Sequence, residues 1–122
     1  MNVYINFLDT RHSIDDVFLE KYGVDQRCIN LLESIARGQL NSSPMTVTQL
    51  MHTGRFGSPA TIHRSLSKLR DSNLLVFLHK GNSKKKKYPA LTTESKEYFE
   101  NLSRVLLNLY KSEFTSKKIS QL

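Results

Sequence analysis

The order of turn signals between Pro44 and Thr92 narrows what this 122-residue chain can fold into more than any other feature. Pro44 disfavours helix at Ser43, and a short helix is expected from Thr46, a hydroxyl N-cap, to about His52, with Val47, Leu50 and Met51 as its apolar positions. The next residues, TGRFG, hold two glycines three apart, which suits a turn and not a helix interior. Ser58-Pro59 then opens a second helix: serine caps it, and proline at the first helical position loses no hydrogen bond. That helix is expected to reach Ser72, with Asn73 adopting the left-handed conformation that ends it. Beyond it, LLVFLHK (74–80) is rich in strand formers, GNSKKKK (81–87) is a polar tip and YPAL (88–91) returns, so the segment predicts a β-hairpin. Pro89 cannot donate to a ladder, which confines its strand to an edge, as a two-stranded ribbon permits.

Helices are expected on either side. Ser13 with Asp16 three positions on resembles a capping box, and Ile14, Val17, Phe18 and Tyr22 share a stripe, so the pattern predicts a helix over 13–22 stopped at Gly23. Residues 1–12 are compatible with a strand or an arm, because Val3, Ile5 and Phe7 alternate with polar neighbours. A further helix is expected from Asp25 as N-cap to Arg37, with Cys28, Ile29, Leu32, Ile35 and Ala36 inward and Gly38 ending it in a left-handed conformation. The last helix begins near Thr92 or Thr93 and runs to about Lys111 or beyond, with Tyr98, Leu102, Val105, Leu106, Leu109 and Phe114 on one side. The expected fold class is mainly α with a small β-hairpin wing. It forms a single domain over 1–122, a winged helix-turn-helix core at 44–92 with extra N- and C-terminal helices at 13–40 and 93–114.

Charge is concentrated in the same core. The chain carries a net +7, yet residues 55–96 hold ten Lys or Arg against Asp71 and Glu94, a local net of +8, while 1–54 sum to −2 and 97–122 to +1. A focused excess attracts a polyanion, whereas a diffuse one mainly aids solubility. Other classes are poorly served. No run approaches the ~18 apolar residues of a membrane span, and the N-terminus lacks the basic-then-apolar pattern of a signal peptide, so a cytoplasmic, nucleoid-associated location is expected. Cys28 alone cannot form an intramolecular disulfide, and its place on an apolar stripe predicts a buried, inert thiol. One cysteine and four scattered histidines give no metal-ligand spacing, and no cofactor is expected. No Gly-rich phosphate loop follows a strand, and His12, His52, His63 and His79 fall on separate elements, so an enzyme is not expected.

The chemistry sits on the helix that begins at Pro59. Stepping about 100° per residue from Ile62, Leu66 and Leu69 fall within about 40° of it, the buried side. Ala60, Thr61, Arg64, Ser67 and Lys68 lie opposite, with His63 on a flank. Such a short, polar, basic face suits the second helix of a helix-turn-helix, which enters the major groove of double-stranded DNA. Arg64 is long, central and able to contact guanine bidentately; its competing reading is an exposed or intramolecular ion pair. Ser58 and Thr61 stand at the helix N-terminus, where hydroxyls and backbone N–H groups hold phosphate, although Ser58 can serve as a cap alone. Lys68 suits the DNA backbone, His63 either touches DNA or packs, and Ala60 suits a thymine methyl or is simply a good helix former. Asn82, Ser83, Lys84, Lys85, Lys86 and Lys87 form the hairpin tip, whose lysines would neutralise phosphates. Thr46 and Arg55 are weaker DNA-binding candidates.

At these residues TVTQLMHTGRFGSPATIHRSLSKLRDSNLL, followed by a hairpin and LTTES, resembles the bacterial winged-helix regulators of the multiple-antibiotic-resistance regulator (MarR) type. The resemblance covers about residues 25–110 and is most specific at GSPATIHRSLSKL. It implies a transcriptional regulator, a homodimer held by its terminal helices, a recognition helix matching Pro59–Ser72 and a wing matching Leu75–Leu91. The chain departs from the pattern at Asn82-Ser83-Lys84-Lys85, where the wing usually carries an Asp-x-Arg-type sequence, and at Ser95, which stands in place of a glycine. A dimer is also expected from the long stripe between Tyr98 and Phe114, whose surplus would cover the first helix or a second subunit. Two recognition helices about one DNA turn apart would then read a pseudo-palindrome. No residue pattern identifies a small-molecule effector.

The same fold also serves RNA-binding and protein-interaction modules and accessory proteins of DNA replication or partition. RNA modules that read sequence display exposed aromatics for stacking, and this surface offers only His63 and Tyr88. A protein-interaction module would not need the +8 segment. A replication or partition role would use the same contacts.

Overall fold

Thr46, Ser58-Pro59 and Asn73 each mark one end of an element in the computed structural model, which describes residues 2–81 and 86–120, with side chains through 115. The order is α1 (Val3–Tyr22), α2 (Gln26–Leu40), α3 (Val47–Met51), α4 (Pro59–Asp71), β1 (Leu75–His79), β2 (Lys87–Leu91) and α5 (Thr93–Ser120). The chain divides into two compact units: Tyr22–Lys96, and α1 as far as Lys21 with α5 from Glu97 onward.

In the Tyr22–Lys96 unit, α2, α3 and α4 pack with the hairpin around Ile29, Leu31, Leu32, Leu50, Ile62, Leu66, Leu69, Leu74 and Leu75, each at most 1% exposed. At five residues α3 is too short to persist alone. A capping box holds its start: Gln49 N–H donates to Thr46 Oγ1 at 3.1 Å, and Thr46 N–H donates to Gln49 Oε1 at 2.9 Å. Helix α4 begins as expected, with Ser58 Oγ accepting from Thr61 N–H at 3.2 Å and Pro59 in the first turn. It ends one residue before the expected limit, with Ser72 as C-cap and Asn73 left-handed at φ 61°. Asn73 N–H bonds to Arg70 O and Leu74 N–H to Leu69 O, while buried Leu69 and Leu74 supply the apolar pair of this C-terminal motif. The strands are antiparallel in the register Leu75↔Leu91 to His79↔Lys87, which sets Pro89 opposite Phe77.

The hairpin returns to its starting point through Thr92, whose hydroxyl donates to Asn73 O at 2.9 Å. Thr92 also opens α5, its N–H donating to Ser95 Oγ at 3.0 Å. Ser95, where the family resemblance calls for glycine, is fully buried and its hydroxyl is satisfied by this cap.

Asp25 caps α2, its Oδ1 accepting from Cys28 N–H at 3.1 Å. Partial burial pushes this carboxyl up, but the hydrogen bonds at Cys28 and the charges of Lys68 and Arg27 outweigh it and hold the group below its ordinary 3.8. Because the folded-state pKa is the lower one, the stabilisation is complete above the unfolded value and is lost as pH falls through the folded one. Asp25→Ala is expected to cost about 1 kcal/mol near neutral pH, and Asp25→Asn, an equally good cap, only a few tenths. In urea unfolding below about pH 4 the gap between wild type and Asp25→Asn should narrow further.

Three expectations are corrected. Residues 3–12 are neither strand nor arm; α1 starts at Val3, with Asn2 Oδ1 accepting from Tyr4 N–H at 2.9 Å and Ile5 N–H at 3.1 Å. Ser13 lies inside the helix, its hydroxyl donating back to Asp9 O at 3.4 Å. An upstream cap allows the helix to propagate past Ser13 at one added hydrogen bond per residue. Gly38 does not end α2, which reaches Leu40; Ser42 takes the left-handed conformation at φ 55° instead. A Cβ on Gly38 would come within 3.1 Å of Ser43 O, so the glycine admits the chain folding back over the helix.

The third correction concerns the terminal helices. In their unit, the inward side of α1 centres on Asp15 and Phe18, both buried, and Val17 is 67% exposed where the sequence stripe placed it inside. Asp15 accepts from the Tyr98 hydroxyl at 2.5 Å and pairs with Arg11 at 3.5 Å, which satisfies a buried carboxylate. The Phe18 and Tyr98 rings stand 4.5 Å apart. On α5, Tyr98, Leu102, Val105 and Leu109 form one stripe. Stepping ~100° per residue sets Leu107, Tyr110 and Phe114 about 120–180° away from Tyr98. Leu107, Tyr110 and Phe114 are 54%, 60% and 60% exposed, so the helix bears two apolar faces and not one. Among the described residues, no helix is long and apolar enough to cross a membrane.

Candidate nucleic-acid interface

The Ser58 cap at the start of α4 begins a hydroxyl chain. Ser58 Oγ donates to Thr61 Oγ1 at 2.9 Å, and Arg64 Nη2 donates to the same oxygen at 3.3 Å. Thr61 Oγ1 therefore accepts twice. Among the described residues nothing accepts its own proton, and no carboxylate pairs with Arg64. Arg64 is exposed and tethered along the helix through this one bond.

The remaining faces of α4 follow the helical wheel. Ile62, Leu66 and Leu69 are buried, joined by Ser65, which the wheel alone did not single out. Ala60, His63 and Lys68 are exposed, and Thr61 and Ser67 are half-buried. Lys68 lies within the field of Asp25, whose carboxylate it helps hold charged. Lys86 and Lys87 are exposed at the start of β2. Asn82, Ser83, Lys84 and Lys85 lie outside the described residues. Thr46 spends its hydroxyl on capping α3. Arg55 is exposed in the turn and lines an open cleft with Asn30, Glu33, Ser34 and Arg37 of α2. Thus Ser58, Thr61 and Arg64 are joined directly, while Thr46 and Arg55 belong to the elements before them.

Two cations escaped the sequence reading. Arg70, at the end of α4, lies over the Phe77 ring of β1 at 5.5 Å, and Lys80 lies over the Tyr88 ring at 4.9 Å. No spacing rule links a helix end to a following strand, but the cross-strand pairing of Leu78 with Tyr88 could have suggested the second contact. Half-buried and with Lys80 on its face, Tyr88 is poorly placed to stack on a base. Cys28 is fully buried, and that burial pushes its thiol up, against thiolate formation. Among the described residues, no three His, Cys, Asp or Glu side chains gather as a metal site.

The architecture recurs in solved structures. The MepR–DNA complex of Staphylococcus aureus matches with a TM-score of 0.65 and 14% identity, covering 97% of this chain and 93% of that one. The transcriptional regulator Tm0710 of Thermotoga maritima matches at 0.67 with 12% identity, over 98% and 82% of the two chains. MarR of Staphylococcus aureus, solved in complex with salicylate and kanamycin, matches at 0.58 with 22% identity, over 93% and 70%. No protein-family model matches the sequence, and no curated protein does. The chain therefore has the winged helix-turn-helix fold of MarR-type regulators, with α3, the glycine turn and α4 as the helix-turn-helix and β1–β2 as the wing.

Proposed function

We propose that this protein is a sequence-specific double-stranded DNA-binding transcriptional regulator that acts as a homodimer, with α4 in the major groove and the lysine-rich wing on the DNA backbone. The observation that carries the reading is the exposed Ser58–Thr61–Arg64 chain at the start of α4, within a segment of local net charge +8. In this reading Arg64 contacts guanine, and Ser58, Thr61, Ser67 and Lys68 meet the backbone. Ala60 and His63 complete the groove face, and Asn82 through Lys87 follow the phosphates of the wing side. The second apolar face of α5 supports pairing of two copies through the terminal helices, and a solved neighbour of this fold is itself a DNA complex. The occluded Tyr88 ring weighs against sequence-reading RNA recognition.

Titrating a fluorescent duplex at several salt concentrations tests the proposal. Arg64→Ala should reduce the preference for a selected site over random duplex by about tenfold or more, since a bidentate base contact contributes about 1–3 kcal/mol of discrimination. Replacing Lys84, Lys85, Lys86 and Lys87 with Ala should instead weaken every duplex alike and flatten the log–log salt slope by roughly 3 to 4. A wild-type preference for structured RNA over duplex DNA would sink the reading.

A further inference from the structure

Within the turn before α4, one long hydrogen bond runs from Arg55 N–H to Thr53 Oγ1 at 3.4 Å. Gly54 and Gly57 sit at φ 71° and 131°, and the second lies in territory essentially closed to side chains. Glycines permit such a turn without holding it, so tethers from neighbouring elements add to the buried face of α4 in fixing the direction in which the helix departs. One tether reaches the turn from 29 positions upstream: Arg27 Nε, at the start of α2, donates to Phe56 O at 2.8 Å. The same guanidinium packs beside Gly57, where an added Cβ would lie 3.6 Å from Arg27 Nε and 3.4 Å from Thr61 Cγ2. Ser58, Thr61 and Arg64 follow immediately. The helix carrying Arg27 is itself built into the core through Cys28, Ile29, Leu31 and Leu32, all fully buried.

We propose that Arg27 is a positioning residue for the recognition helix, holding the 54–57 turn so that α4 presents Arg64 and Thr61 at a fixed angle, without touching DNA itself. This rests on the DNA-binding reading above and deepens it. A charge-assisted hydrogen bond from a rigid, planar guanidinium to one carbonyl defines direction as well as distance.

The salt dependence separates this role from a phosphate contact. Against a fluorescein-labelled duplex selected from a random pool by the wild type, Arg27→Ala should bind about five- to tenfold more weakly, the loss expected for one solvent-exposed hydrogen bond. Its log–log salt slope should stay at the wild-type value, and its preference for the selected duplex over random duplex should fall. Arg27→Lys, which keeps a donor but not the planar fork, should recover part of the loss. Gly57→Ala, which strains the same turn at φ 131° and sets a Cβ beside the Arg27 guanidinium, should reproduce the signature. A slope reduced by about 0.9 would make Arg27 a phosphate ligand and overturn the proposal. So would unchanged affinity in either Arg27→Ala or Gly57→Ala. Failure of the wild type to bind any duplex would instead remove the DNA-binding reading, a result distinct from a binding wild type with an indifferent Arg27 variant.

Discussion

Leu107→Glu combined with Phe114→Glu is expected to leave the protein monomeric in sedimentation and to weaken binding to a two-fold-symmetric duplex by at least about a hundredfold. Binding to a single half-site should change little. Both positions lie on the α5 face turned away from Tyr98, and Tyr110 stacks on Phe114 there with ring centroids 6.4 Å apart. In an isologous pair through this face the introduced carboxylates would meet apolar surface and the carboxylates introduced on the second copy, so desolvation and like-charge repulsion act together. Losing the pairing converts a linked double contact into two independent weak ones, which is why the expected loss exceeds any single contact with DNA. The stripe formed by Tyr98 and Leu102 is untouched, so helicity should persist. A double variant that still sediments as a dimer would show that the exposed α5 face is not the interface.

Leu66→Ala is expected to cost about 3 kcal/mol in urea unfolding, within the usual range for a buried leucine. Leu66 is 1% exposed, on the inward side of α4 with Ile62 and Leu69. Because this one face anchors the helix whose other face presents Arg64, relaxation around a cavity there would also shift the outward side chains. Against total stabilities of ~5–15 kcal/mol for small domains, the loss should appear as a lower midpoint with little change in slope. Ser67→Ala, half-buried next door, should stay within about 0.5 kcal/mol. A Leu66→Ala cost below about 1 kcal/mol would mean that α4 is anchored chiefly elsewhere.

The helix-turn-helix and its wing were legible because every boundary there is local chemistry. Thr46, Ser58-Pro59 and Asn73 each end or begin an element through a hydrogen bond within a few residues. The outward face of α4 was legible because its polar and apolar positions separate cleanly at helical spacing. The terminal helices were less legible for physical reasons that operate at a distance. Asp15 is an inward residue that a hydropathy stripe assigns to solvent, and only its contacts with Tyr98, 83 positions away, and Arg11 make the burial tolerable. That misplacement carried Val17 to the wrong side. Leu106 and Phe114 were merged with the Tyr98 stripe because an apolar residue's preference for burial says nothing about which partner covers it. The Arg27 tether, likewise, joins residues 29 apart through a backbone carbonyl, and a carbonyl has no sequence signature.

The buried cysteine turns the protein into its own reporter of opening. With the sulfur of Cys28 fully enclosed and its deprotonation suppressed, a small aromatic disulfide reagent reacts only with molecules in which α2 has lifted from its neighbours. The colour released over time then counts excursions of the Tyr22–Lys96 unit away from its closed form, with no label introduced and no substitution made.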